Sequence, residues 1–315
     1  ATLPPPTWSA CSLMTDGTTS DAECSQAQVP LDWTQPGGQQ ITYFVKRYRP
    51  PNVTTKADLW MIAGGPGAGG ESFEAFAAAL ASAGHVDVYM PDHRGTGRSS
   101  RLTCAAAEQY GTPLDYAISV DEMKQCLLAA GPDAGATLAN FTPTNAARDI
   151  GWMVSQTRSA GRPVYVYGVS YGTYLTLRYL QLFPSGADGV VLDSLCSPGG
   201  CFLSRIDTWV NDAAKAFFAA CGQDAFCGGK LGADPWAQLG AALDKLDGNG
   251  CPAATAAGFT RASLKPVLNE LISLGGFDGR PLAPVLAYRI ARCSTADAHA
   301  LAKAGPKLFA PSPPS

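Results

Sequence analysis

Histidine is scarce in this sequence, with three in 315 residues, at positions 85, 93 and 299. Charge is scarce too, at 16% of residues with a net of −3, and no Lys/Arg cluster occurs along the chain. This excludes the basic field that nucleic acid or an anionic membrane surface would require, so neither is expected as a partner. No apolar run approaches the roughly 20 residues of a bilayer span. No C-x-x-C pair stands at zinc-site spacing, no internal repeat is found, and nothing calls for a metal, nucleotide, haem or other cofactor. Ala1 is not an initiator Met and no charged-then-apolar leader follows it, so the chain reads as the mature part of an exported, secreted or periplasmic protein.

What is present is a globular composition, 46% hydrophobic, with 34 Gly and 24 Pro lacking any collagen-like period. The length suits one large domain or a domain with a substantial insertion. The ten cysteines form an even set spread over the chain and read as a disulfide framework. Proximity suggests Cys11 with Cys24, Cys104 with Cys126, Cys196 with Cys201, Cys221 with Cys227, and Cys251 with Cys293.

Residues 1 to 40, rich in Pro, Ser, Thr and Gly, read as a stapled opening segment ahead of a turn at Gln35-Pro36-Gly37-Gly38. Strands are expected from there on, at Ile41 to Tyr48, Leu59 to Ala63, Val86 to Met90, Val164 to Tyr167 and Gly189 to Leu192. Several are apolar on both faces, as central parallel strands are. Helical spacing falls between them, at Glu71 to Ala83, Asn145 to Arg158 and Tyr174 to Phe183. The alternation predicts a doubly wound, mostly parallel α/β sheet. From residue 202 the pattern turns helical, over Phe202 to Ala220, Pro235 to Leu246, Ala262 to Leu274 and Pro284 to Arg292. The expected division is a core over 1–201, a helical cap over 202–309 and a Pro/Ser tail over 310–315.

Gly168-Val169-Ser170-Tyr171-Gly172 follows one of these strands directly and opens a helix. That is the context a nucleophile elbow demands: a serine on a tight strand-to-helix turn, lifted at a helix N-terminus whose dipole favours an oxyanion. A Gly/Ser turn without chemistry is the bland alternative. Gly64-Gly65-Pro66-Gly67-Ala68-Gly69-Gly70, after the strand from Leu59, lacks the Lys-Ser/Thr ending of a phosphate loop, and Pro66 removes an amide a nest would need. It fits an oxyanion loop, in which the N–H groups of Gly65 and Tyr171 face a developing alkoxide. In Asp92-His93-Arg94-Gly95-Thr96-Gly97-Arg98-Ser99, Asp92 and Arg94 are expected to pin loops beside the site through charge-assisted hydrogen bonds. His93 is adjacent to that loop, and its spacing does not mark it as a base.

In this order the motifs resemble the alpha/beta-hydrolase superfamily, and within it the secreted tripeptidyl aminopeptidase-like and proline iminopeptidase-like serine peptidases. The resemblance extends to Ala22-Glu23-Cys24, Val29-Pro30-Leu31-Asp32-Trp33, Asn145-Ala146-Ala147-Arg148-Asp149, Tyr167 through Tyr174 and Val191-Leu192-Asp193. It covers residues 8 to about 200, and the later helices resemble the family's cap. It implies Ser170 as nucleophile, the amides of Gly65 and Tyr171 as oxyanion hole, and cleavage of a peptide substrate near its free N-terminus.

The sequence departs from that pattern after the cap. A triad of this type runs Ser, acid, His along the chain, yet only His299 follows Ser170, in a helix-like stretch rather than a loop. Asp193 ends a strand, but in the resembled family it looks structural. No strand pattern follows residue 202, so the last strands of the sheet, which should bear acid and base, are expected to be missing from this chain. Three explanations fit: the amino-terminal piece of a longer precursor or two-chain enzyme, with a carboxyl-terminal polypeptide supplying Asp and His; a truncated form; or an inactive relative. The competing functions are an esterase or lipase of the same fold and a non-catalytic binding module. Asp207, Asp212, Asp224 and Glu270 are available to pair a substrate ammonium. The isolated chain is expected to turn over peptide anilides far below the roughly 1 per second of ordinary enzymes. A steady-state assay reaching that rate would overturn the expectation.

Overall fold

β-branched and aromatic runs bounded by Gly, Pro and Asp pair into one seven-stranded sheet among the described residues, which are 3–15, 17, 21–104, 120–131, 134–273 and 279–309 of the computed structural model. The strands are β1 (Ser9–Cys11), β2 (Ala22–Pro30), β3 (Gln40–Tyr48), β4 (Ala57–Ile62), β5 (Val86–Asp92), β6 (Val164–Val169) and β7 (Gly189–Asp193). Their order is β1-β2-β3-β5-β4-β6-β7. The β1–β2, β2–β3 and β3–β5 pairs are antiparallel, and β5, β4, β6 and β7 run parallel. The chain divides into two compact units, Ala1–Cys201 and Phe202–Ser315.

One expectation fails here: strands do not begin at residue 41. β2 is nine residues long and pairs with β3 along its length. Its sequence hides this, because Ser25, Gln26 and Gln28 interrupt the apolar set and one edge meets only the three-residue β1. Pairing and half-burial, not intrinsic propensity, make it a strand. The turn at 35–38 does lie between β2 and β3, closed by the Gly38 amide donating to the Gln35 carbonyl at 2.9 Å.

Side-chain alternation splits the core of the first unit in two. Trp60, Ile62, Val164 and Val166 pack with Ala146, Ala147, Ile150 and Met153 of α4 (Pro143–Thr157) and Leu175 and Tyr179 of α5 (Tyr171–Leu182). On the opposite face Met61, Val88 and Met90 pack with Phe73, Ala77 and Ala81, the last two from α1 (Glu74–Gly84). Two shorter helices, α2 (Val120–Ala129) and α3 (Ala134–Leu138), precede α4. α4 starts where the sequence signals it: Thr142 accepts from the Asn145 amide, and Pro143 takes the first helical turn.

The second unit is helical throughout its described residues: α6 (Ile206–Gln223), α7 (Ala225–Leu231), α8 (Pro235–Asp247), α9 (Pro252–Ala256), α10 (Arg261–Ser273), α11 (Leu282–Arg292) and α12 (Thr295–Leu308). Phe218, Phe259, Leu264 and Ile290 centre its own core. The sequence reading missed α7 and α9, which are short and carry Gly228 and Gly229 or begin at Pro252. The helix-like stretch around His299 belongs to α12, which tolerates Pro306 within its last turns. Asp224, weighed as an ammonium partner, caps α7 by accepting from the Phe226 and Cys227 amides. The expected tail, residues 310–315, lies outside the described residues. All ten cysteines stand in the five expected pairings at disulfide distance, with Cα–Cα separations from 5.2 to 5.9 Å, consistent with disulfides.

The start of α12 concentrates charge. Ser294 and Asp297 form a capping box, and the buried Asp297 carboxylate also accepts from Arg292 (2.7 Å to each oxygen) and Arg289 (3.2 Å). Arg292, assisted by Ser294, holds this carboxyl well below the usual carboxylate range. A folded-state value below the unfolded one stabilises the fold above the unfolded value of about 3.9, and that contribution disappears as pH falls through the folded value. Asp297→Asn is therefore expected to lower Tm at pH 7 by about 5 °C. In calorimetry the gap to wild type should narrow steadily below pH 4, and a pH-independent gap would refute the assignment.

Candidate active site

Chain order reverses between β4 and β6: the chain leaves β4 for β5 on one side and β6 for β7 on the other. The carboxyl ends of strands at such a switch point open a crevice between their loops. Ile62 of β4 lies opposite Gly168 of β6, so the glycine loop and Ser170 leave the sheet side by side. A Cβ at Gly64 would stand 2.8 Å from the Val169 carbonyl oxygen and 2.9 Å from Ser170 Cβ. One at Gly172 would run into the Ile62 carbonyl oxygen and lie 2.8 Å from that of Ala63. Only glycine lets β4, the turn and α5 approach this closely.

Ser170 sits on that turn at φ 55°, ψ −124°, a region that costs an L residue of order 1–3 kcal/mol. Surrounding bonds hold it there. Its amide donates to the Asp193 carbonyl at 2.9 Å, and its own carbonyl accepts from the Thr173 amide (2.9 Å) and hydroxyl (2.6 Å). The residue is exposed and its side chain does not cap α5, leaving Oγ free for other chemistry. Tyr171 opens the helix, and at that position its amide has no acceptor within the helix. Gly65 is exposed at φ 102° in the neighbouring loop. The sequence-derived trio of Ser170, Gly65 and Tyr171 thus lies on adjoining loops at one end of the sheet.

Two buried charge networks fix the surrounding loops. Asp92, at the end of β5, accepts from the Gly70 amide on one oxygen and the Arg98 amide on the other, each at 2.7 Å. This ties the far end of the glycine loop to the 92–99 loop. Burial pushes the Asp92 carboxyl up against the pull of those bonds. Nearby, Lys46 Nζ donates to Glu74 Oε1 (2.5 Å) and to the Leu13 carbonyl (2.6 Å), with Arg98 reaching the same Glu74 oxygen at 3.3 Å. The sequence reading missed this pair; its signals were one lysine inside the apolar run Ile41 to Tyr48 and one acid at the head of an alanine-rich helix. In the second network Arg94 makes a two-point bond to Asp149 at 2.7 Å per contact and also donates to the carbonyls of Pro30, Leu31 and Asn140. Trp33 Nε1 donates to Asp149 Oδ1 at 2.7 Å.

The histidines do not complete a triad with Ser170 in the described hydrogen bonds. His85 is exposed at the end of α1, ahead of β5, and so at the opposite end of that strand from the Asp92 loop. His299 is exposed on α12. His93 is buried, and its ring lies 5.7 Å from the Tyr171 ring. Asp193 is occupied: one carboxylate oxygen accepts from the Tyr167 hydroxyl at 2.7 Å and the other from Ser194 at 3.0 Å.

A mixed sheet with a strained serine at its switch point, a glycine loop beside it and helices on both faces is the architecture of the alpha/beta-hydrolase class. The family model described as the alpha/beta hydrolase fold matches residues 59–227, and the chain belongs to that family. Over 195 residues it is 28% identical to tripeptidyl aminopeptidases of Streptomyces coelicolor and Streptomyces lividans, a match covering 56% of this chain and 35% and 36% of those proteins. The match thus spans little more than a third of the length of these curated relatives. Similar solved structures include a proline iminopeptidase of Mycobacterium smegmatis (19% identity, TM-score 0.42, 90% of this chain and 69% of that one). Another is an alpha/beta hydrolase of Novosphingobium aromaticivorans (16%, TM-score 0.37, 64% and 55%).

Removing one partner of a buried ion pair strands the other charge, at a cost of about 3–5 kcal/mol. Asp149→Ala is expected to fall in that range by urea unfolding, while Arg94→Met combined with Asp149→Leu should lose less than the single variant. A double variant less stable than the single one would contradict this account.

Proposed function

We propose that this chain carries the nucleophile and oxyanion hole of an exported serine exopeptidase that releases short peptides or residues from peptide N-termini. The observation that carries the reading is Ser170: exposed, held at positive φ between β6 and α5, and crowded against the glycine loop. The tripeptidyl aminopeptidase relatives support the substrate class, and the five cysteine pairs support an oxidising, extracytoplasmic location. In the reaction Ser170 Oγ attacks the scissile carbonyl carbon and gives its proton to a base. The amides of Gly65 and Tyr171 hold the oxyanion, the amine leaves with that proton, and water then releases the acyl group.

The base and its acid partner belong, in this proposal, to a carboxyl-terminal polypeptide. Two features of the first unit support it. Among the described residues β7 pairs on one side only, and Val191 on β7, Leu195 just beyond it and Tyr165 on the neighbouring β6 are 59%, 59% and 42% exposed. Parallel strands are ordinarily covered on both faces, and exposed apolar edges are ordinarily blunted or covered.

Intact mass spectrometry, native and denaturing, before and after a fluorophosphonate, tests the proposal. The expected result is a co-purifying second polypeptide and an adduct on Ser170 that is absent in Ser170→Ala, with kcat of the assembled enzyme falling on the order of 10⁶-fold in that variant. A lone 32.7 kDa species that never labels, even beside a supplied carboxyl-terminal segment, would instead favour a binding role. Hydrolysis of esters with no cleavage of peptides would favour an esterase.

A further inference from the structure

The carbonyl of Ser170 and the amide of Tyr171 belong to one peptide group. Such a group is planar and trans, so its C=O and N–H point in opposite directions, and whatever pins the oxygen aims the N–H. The oxygen here has two donors, the Thr173 amide at 2.9 Å and the Thr173 hydroxyl at 2.6 Å. The Tyr171 N–H opens α5 and has no acceptor within the helix. The buried Thr173 hydroxyl is in turn held from outside the helix, because Oγ1 accepts from the Cys196 amide at 2.7 Å. An amide only donates and a carbonyl only accepts, so both bonds have a fixed direction and the hydroxyl proton lies toward Ser170. Threonines in helices often return a hydroxyl to a carbonyl one turn back, as Thr157 and Thr176 do toward Met153 and Gly172. Among the described hydrogen bonds those two hydroxyls receive no donor, whereas Thr173 takes a backbone amide from the chain beyond β7. That stretch is itself closed: Cys196 stands at disulfide distance from Cys201, and the Gly200 and Cys201 amides donate to the Ser197 carbonyl at 3.1 Å each.

We infer that Thr173 is a positioning residue of the oxyanion hole, whose hydroxyl relays the Cys196 amide to the Ser170–Tyr171 peptide group and so aims and polarises the Tyr171 N–H toward the developing alkoxide. The inference rests on the peptidase reading and deepens it by naming the residue that sets one of the two donors. Hydrogen bonds in a chain polarise one another, and here the chain runs from the Cys196 N–H through the Thr173 hydroxyl and the Ser170 carbonyl to the Tyr171 N–H. Thr173 touches no substrate and moves no proton. Its effect grows with the charge on the oxyanion, which is greater in the transition state than in the bound substrate, so it acts on kcat rather than on KM.

The test compares Thr173→Val, which keeps the shape of the side chain without the hydroxyl, with Thr173→Ser, which keeps the hydroxyl. In the ¹⁵N-labelled full chain, Thr173→Val should move the Tyr171 amide nitrogen upfield and speed exchange of the Cys196 amide proton, and Thr173→Ser should restore both. In the enzyme assembled with its carboxyl-terminal polypeptide, Thr173→Val should lower both kcat on a peptide anilide and the rate of Ser170 labelling by a fluorophosphonate about tenfold. KM should stay within about twofold, and Thr173→Ser should recover most of the loss. Should Thr173→Val not fold, Thr173→Cys, whose thiol donates and accepts only weakly, takes its place with the same expectations in smaller measure. A Tyr171 nitrogen that stays in place on loss of the hydroxyl overturns the inference, and so does a change confined to KM. If wild type and the hydroxyl-free variant label and cleave equally, the inference fails and the peptidase reading survives. If the wild-type assembly neither labels nor cleaves, both fail.

Discussion

The carbonyl oxygen of Ile62 sits where the Cβ of any residue other than glycine at position 172 would have to go. That single close approach sets the distance between the end of β4 and the first turn of α5, and so how near the glycine loop comes to the serine. Gly64 repeats the constraint from the other side, against Val169 and Ser170. A methyl group at either place would separate the loop from the turn, and an oxyanion hole drawn from both would lose its geometry. Donor placement matters on the scale of tenths of an ångström, because such donors act only at hydrogen-bond distance from the developing charge.

Buried ions hold the loops that backbone pairing cannot reach. Arg94 and Asp149 gather the end of β2, the 92–99 loop and α4 around one ion pair, and nearly every polar atom of the pair has a partner. Pairs of this kind add little net stability, since desolvation offsets their attraction, but they penalise every arrangement that separates them. Lys46 and Glu74 do the same for the chain around Leu13 and Thr15. The loops beside Ser170 are thereby held in one arrangement by charge, while the sheet beneath is held by apolar packing.

Much of this architecture could be read from residues near one another in sequence. The central strands announce themselves as β-branched runs with Gly, Pro or Asp at their ends, and the elbow is legible because strand, serine motif and helix are contiguous. β2 escaped because its polar residues are explained only by its partner β3, and α7 and α9 escaped because glycine, proline and short length mask them. At the site, Asp92 was legible as a loop pin and His93 as its neighbour, but their partners, the Gly70 amide and the Tyr171 ring, lie far away in the chain, so spacing did not identify them. Lys46 and Glu74 looked like exceptions to two apolar patterns, and only their meeting explains either.

The backbone at Ser170 bears on selection as well as chemistry. Glycine adopts positive φ without the strain a serine incurs there, and the same turn could be made with less strain by removing the side chain. A lineage under pressure for folding stability alone would drift towards glycine at this position. The serine that stands there instead is the more strained choice, a cost the chemistry proposed for Ser170 would account for.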